Sequence, residues 1–304
     1  YEMSASLVGS EMCIRDSGLG ECLVKFDEKM NSTPWLAENW QVSDDKLTWT
    51  FKINDKAKFS NGNKVTAEAV KKSIERTFEK AARARAMFLY DNISADGQTL
   101  MIKTHTPVAT LPGMLGDPLF IIIDTSVTDR DYAKQGPICT GPYMVNTYSK
   151  AKAVMDANPN YWDGEVPFKH VEIPTIDDPN TRAMALQSGE IDMALLDPKN
   201  AQSFKDTEDY TCYDMTTSDY RGIMFNFGND YWTENKDIIP AVCYGIDRQA
   251  IIDAVLLGQG MPAYGPLQRN IYNDEKVEHY DYNPEKAKEI LENAGCTMDD
   301  DGFY

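Results

Sequence analysis

The stretch Leu47-Thr48-Trp49-Thr50-Phe51-Lys52-Ile53 alternates apolar and polar side chains with period two, and most of its residues are aromatic or β-branched. That pattern predicts a half-buried β-strand. Asp44-Asp45 before it and Asn61-Gly62-Asn63 after Phe59 are turn signals, so the strand belongs to a hairpin or meander. Thr66 then opens a helix: Glu68 places an acid in the first turn, and Val70, Ile74 and Phe78 follow at helical spacing. A second strand is expected at 98–104, after the turn Asp96-Gly97, and a continuous apolar run predicts a buried strand at 119–123. Strand, helix and strand in this order make the fold class α/β.

Further along, Gly136-Pro137-Ile138-Cys139-Thr140-Gly141-Pro142-Tyr143 puts two glycines and two prolines into one short loop, which fixes its backbone geometry. It reads either as a plain turn or as a loop that shows Thr140 and backbone amides to a ligand. Asp178-Pro179-Asn180 opens a helix over 181–187 that ends at Ser188-Gly189. Short strands are expected at 191–196 and 223–227, and helices at 237–244, 248–257 and 284–293. A domain boundary is placed at 220–223, where composition leaves no mark.

Composition narrows the function. Lys+Arg 30 against Asp+Glu 48 gives a formal net charge of −18, the reverse of what binding to nucleic acid phosphates or an anionic membrane surface requires. No apolar run is long enough to cross a bilayer as a helix. The six cysteines lack C-x-x-C or zinc-type spacing and are expected as buried thiols, and the three histidines stand far apart. Gly18-Leu19-Gly20 lacks the third glycine of a dinucleotide loop, no nucleophile elbow occurs, and Asp299-Asp300-Asp301-Gly302 lacks the distal Glu of a calcium loop. No catalytic residue, metal site or cofactor is therefore assigned. The pair Glu190 and Asp192 keeps a carboxylate-based hydrolase as an alternative of another class. Residues 1–17 carry no signal-peptide pattern and resemble translated adapter sequence. They are expected to be foreign to the fold and removable without loss, with Leu7, Val8 and Ile14 outside the core.

Several blocks in order resemble the extracytoplasmic solute-binding proteins of family 5, the receptors of oligopeptide, dipeptide and nickel ABC importers. They are Gly20-Glu21-Cys22-Leu23-Val24, Pro34-Trp35-Leu36-Ala37, Phe59-Ser60-Asn61-Gly62, Thr140-Gly141-Pro142-Tyr143, Asn158-Pro159-Asn160-Tyr161-Trp162, Gln187-Ser188-Gly189-Glu190-Ile191-Asp192 and Tyr282-Asn283-Pro284-Glu285. The resemblance implies a two-lobed periplasmic-binding-protein-like fold (type II, cluster C). Lobe one would span 18–222 with an inserted subdomain at about 40–137, and 223–304 would begin a second lobe that is incomplete. It implies a receptor, periplasmic or tethered to the cell surface as a lipoprotein, whose signal segment is absent from this chain. The receptor would capture peptides and deliver them to permease subunits, with a nickel chelate as the alternative ligand. On this reading the ligand face comprises Arg85, Tyr90, Phe120, Cys139 and Thr140, with Asn226 at the crossing into lobe two. Cys139 departs from the small residue usual before Thr140, which puts a thiol beside the loop.

Overall fold

The computed structural model describes residues 18–304 apart from 206, 216, 218, 269–271 and 275. The expectations for residues 1–17 lie outside the described residues. The chain forms two compact units that divide between Thr175 and Ile176. The lobe boundary expected at 222–223 therefore falls inside the second unit.

In the first unit the alternating stretch forms a strand. A short ribbon, β1 (Val24–Phe26) with β2 (Ser32–Pro34), precedes a four-stranded antiparallel sheet. That sheet comprises β3 (Ala37–Val42), β4 (Thr48–Ile53), β5 (Tyr90–Asp96) and β6 (Thr99–Thr104), in the order β3-β4-β6-β5. Trp49, Phe51 and Ile53 are buried and the residues between them are half-buried, as period two demands. Phe51 pairs with Leu100 and Trp49 with Ile102 across the ladder to β6.

The helix Ala67–Lys80 begins where Thr66 Oγ1 accepts from the Ala69 amide at 3.2 Å. It buries Val70, Ile74 and Phe78 in the main core with Phe51, Leu100 and Ile102. A third sheet, β7 (Tyr143–Tyr148), β8 (Lys152–Ala157) and β9 (His170–Pro174), is antiparallel and follows the glycine- and proline-rich loop.

The strand expected at 119–123 does not form. Asp117 Oδ1 accepts from the Leu119 amide at 2.9 Å and Pro118 starts a 3₁₀ turn, Pro118–Phe120. The backbone that follows is satisfied one residue at a time. Ser73 Oγ donates to Ile121 O at 3.4 Å and accepts from the Ile123 amide at 3.0 Å, while the Ile122 amide donates to Glu21 O at 2.9 Å. Phe120, Ile121 and Ile122 are buried, as read, while Leu119 and Ile123 are half-buried, and the run has no ladder.

The second unit is helical where it is regular. Helices span Pro179–Gln187, Pro198–Lys205, Ile239–Tyr244, Arg248–Leu256 and Pro284–Asn293. Asp178 Oδ1 caps the first at 2.7 Å from the Thr181 amide, and Gly189 supplies the left-handed residue after its end (φ 75°). The helix expected at 237–244 splits into a 3₁₀ turn, Lys236–Ile238, and the helix Ile239–Tyr244, because Pro240 has no amide to carry a ladder back across the junction. The strands expected at 191–196 and 223–227 are irregular. An apolar alternation becomes a strand only with a neighbour to pair with, and here Met193 and Met224 are 88% and 93% exposed. A small core of Ala241, Tyr244 and Ala287 joins the helices Ile239–Tyr244 and Pro284–Asn293.

Candidate functional site

The first unit brings four sequence blocks together around residues 18–22. The loop 136–143 runs beside this segment: the Gly141 amide donates to Leu19 O and the Tyr143 amide to Gly18 O, both at 3.1 Å. The approach is so close that a Cβ on Gly141 would lie 2.2 Å from Gly18 O, which explains the glycine. On the other flank, a Cβ on Gly20 would lie 2.3 Å from Ile121 Cγ2.

The loop's carbonyls are engaged as well. The Ser60 amide donates to Cys139 O at 2.8 Å, and the Asp124 amide to Ile138 O at 2.8 Å. Asn158 Nδ2 donates to Gly141 O and the Asn158 amide to Pro142 O, both at 2.7 Å. The reading in which this loop shows its backbone amides to a ligand is corrected at Gly141 and Tyr143, whose amides are spent on Leu19 O and Gly18 O. Its proline and glycine geometry aims these groups into neighbouring segments.

Two acids anchor the assembly. Asp124 is buried, and its carboxylate accepts from Asn61 Nδ2 and Asn63 Nδ2 at 2.8 Å and from the Ser126 amide at 2.9 Å. Burial by itself would raise its pKa, but these donors outweigh burial and hold it below the usual carboxylate value. Asn61, read as a turn former, acts through its side chain.

Glu21 is the opposite case. It is 1% exposed, and its Oε2 accepts from Trp162 Nε1 at 2.8 Å. Burial pushes its pKa up to about 7; the Thr140 hydroxyl and the Trp162 and Trp35 indoles pull it down, and the charge of Asp163 pushes it further up. Its Oε1 and the Oγ1 of Thr140 complete no hydrogen bond. Sequence reasoning placed Glu21 in a block without giving it a role. The available signal was an acid inside the otherwise apolar run Leu19 to Val24.

The expected site residues fall into three groups. Cys139 and Thr140 lie in this assembly, both buried, and the Cys139 thiol is pushed up to about 12 by burial and then by the Glu21 charge. Phe120 and Tyr90 sit together elsewhere in the unit, each against Phe78, with ring centroids 5.8 and 4.8 Å from it. Phe120 is 1% exposed and belongs to the core, while Tyr90 is half-buried at its edge. Arg85 turns its guanidinium back to the carbonyls of Phe78 and Glu79 at the end of the helix Ala67–Lys80, a C-terminal cap. Asn226 belongs to the second unit, exposed, with its Oδ1 accepting from the Gly228 amide at 3.0 Å.

Among known proteins, the chain is 28% identical over 284 residues to the nickel-binding protein NikA of Staphylococcus aureus, covering 93% of this chain and 57% of that protein. It is 28% identical over 283 residues to the glutathione-binding protein GsiB of Escherichia coli K12, covering 90% and 55%. The chain thus spans little more than half the length of these relatives. The crystal structure of NikZ from Campylobacter jejuni in complex with Ni(L-His) superposes with a TM-score of 0.79 at 26% identity, covering 93% of this chain and 59% of that one. The family described as "Bacterial extracellular solute-binding proteins, family 5 Middle" matches residues 31–304. That span takes in all three sheets except β1, most of the assembly around residues 18–22, and the helices of the second unit, so the chain belongs to the family 5 bacterial extracellular solute-binding proteins.

Proposed function

We propose that this chain is the solute-capturing part of a receptor that serves an ABC importer on the outer side of the cytoplasmic membrane, binding short peptides and passing them to the permease. The observation that carries this reading is the family match from residue 31 to residue 304. The glutathione-binding relative adds support, since glutathione is itself a small peptide. Among the described residues no helix is long and apolar enough to cross a membrane. Attachment as a lipoprotein belongs to the proposal.

Within the first unit the half-buried Tyr90 is proposed on the ligand face. Cys139, Thr140 and Phe120, all buried, are proposed to act from beneath the surface by holding the loop and the core, and Arg85 by capping its helix. Asn226 is proposed as the contribution of the second unit. A second reading, a nickel chelate as the ligand, is favoured by the nickel-binding relative from Staphylococcus aureus and by the Ni(L-His) complex.

Calorimetric titration of the chain with a di- to pentapeptide mixture, with glutathione and with nickel plus L-histidine tests this. Saturable heat with peptides is expected. Heat with the nickel mixture and none with peptides establishes the second reading. Turnover of peptides or glycosides with no stoichiometric binding overturns both in favour of a hydrolase.

A further inference from the structure

The third sheet carries a chain of charges that lies outside the assembly around residues 18–22. Asp156 on β8 stands directly opposite His170 on β9. Strand alternation puts Lys152, Val154 and Asp156 on one face of β8, and His170, Glu172 and Pro174 on the same face of β9. His170 Nδ1 lies 2.9 Å from Asp156 Oδ1, and its Nε2 lies 3.3 Å from Glu172 Oε1. Lys152 Nζ donates to Glu172 Oε2 at 2.7 Å, which returns the chain to β8. The order Asp156, His170, Glu172, Lys152 thus crosses between the two strands twice.

One imidazole between two carboxylates sets its own protonation. A neutral ring has a single N–H, so its other nitrogen would turn a lone pair toward a carboxylate oxygen; the imidazolium donates to both. With that proton the four side chains alternate in sign and cancel, and without it one negative charge is left over. The charged groups that face the ring are Asp156 from β8 and Glu172 from β9 itself. From β7 comes the uncharged Asn146, whose Nδ2 donates to Asp156 Oδ2 at 2.6 Å. The bond to Asp156, and then the bond to Glu172, raise the pKa of His170 above its ordinary 6.5. In return His170 holds Asp156 below its usual value, and Lys152, then His170, do the same for Glu172.

We infer that protonated His170 is a clip that fastens β9 to β8, and that the clip opens when the proton leaves for bulk water. On its loss the remaining N–H serves one carboxylate, and the other link of the ring is broken. β9 is the last strand of the first unit. Its ladder to β8 runs on to the Thr175 amide, which donates to Ala151 O at 2.8 Å, and the unit ends at that residue. The clip therefore governs how firmly the first unit holds the strand by which the chain leaves it. All four side chains are partly exposed, so each link is a modest, solvent-screened one. This clip goes beyond the receptor reading and does not depend on it.

The sign follows from linkage. The folded pKa of His170 lies above 6.5, so its contribution is complete below 6.5 and is lost as pH rises through the folded value. Asp156 and Glu172 have folded values below their ordinary 3.8 and 4.5. Their contribution is complete above those ordinary values and is lost as pH falls through the folded ones. The clip is thus whole in a window bounded below by the carboxylates and above by His170. Glu21, pushed up to about 7 chiefly by burial, loses its own contribution with rising pH too, so a melting curve by itself does not separate the two.

The test follows both ring nitrogens of His170 by ¹⁵N NMR on the whole chain, from about pH 5 to about pH 9. Hydrogen exchange of the Thr175 amide, taken relative to an unstructured peptide at each pH, is measured alongside. The ring is expected to titrate with a midpoint above 6.5. Asp156→Asn and Glu172→Gln should each lower that midpoint, since each removes a charge that holds the proton. Protection of the Thr175 amide should fall by a factor of about 1.5 to about 5 across the wild-type midpoint, the range of a cross-strand ion pair, and show no such step in His170→Gln. A midpoint at or below 6.5 overturns the clip, as does Thr175 protection that stays flat in the wild type or steps equally in His170→Gln. Should His170→Gln fail to fold, the two acid variants decide: a Thr175 step that does not follow their lowered midpoints overturns it.

Discussion

Phe120 is held at the level of single rings. Its centroid lies 5.8 Å from both Phe78 and Phe88, and no water reaches it. Phe120→Ala should therefore open a cavity and cost about 3–5 kcal/mol, read as a lower midpoint in denaturant titration with an unchanged slope. Gly141 sets a harder limit, because the atom a Cβ would strike is backbone, and backbone cannot rotate away. Gly141→Ala is expected to cost at least the roughly 1–3 kcal/mol of ordinary overpacking, measured the same way. At this scale the sequence was legible where a residue's type constrains it. Glycine in the loop, Thr66 before a helix and Asp178 before another could all be read. What could not be read was which polar groups end up facing each other. Glu21 meets Thr140 and Trp162 from positions more than a hundred residues away, and no local pattern encodes such a meeting.

At the scale of elements, the strands and helices that formed as read are those whose partners are close in the chain. β4 finds β3 a few residues earlier, and β6, which forms a hairpin with β5, after the helices Ala67–Lys80 and Ala82–Met87. The helix Ala67–Lys80 carries its own cap, so Thr66→Ala should cost about 1 kcal/mol, seen as a lower melting temperature with little change elsewhere in the spectrum. At 191–196 and 223–227, read as short strands, no ladder forms among the described residues. Alternation says which face of a strand would be buried, but a ladder partner must supply the burial. At 119–123 the apolar character was read correctly and the geometry was not, since Asp117 and Pro118 impose a turn that a hydrophobicity pattern does not register.

For the whole molecule, charge and exposed surface matter most. A formal net charge of −18 makes the compact state repel itself, and salt shortens the range of that repulsion. The melting temperature is expected to rise between about 0.01 M and about 0.15 M sodium chloride, as scanning calorimetry would register. In the second unit Met193, Leu195, Met224, Ile251 and Val255 are all more than half exposed. Exposed apolar side chains of this size offer footholds to apolar molecules. Binding of a hydrophobic dye to the chain is expected, with aggregation rising with salt as the charge that keeps molecules apart is screened.

The buried thiol of Cys139 gives the loop a clock. Alkylating reagents react with thiolates, and this thiol, pushed up to about 12 and sealed from solvent, offers almost none while the protein is closed. Cys212 is exposed, so a reagent should mark it first. Each later modification of Cys139 then records a moment when the loop stood open, and the ratio of the two labelling rates reports how often that happens.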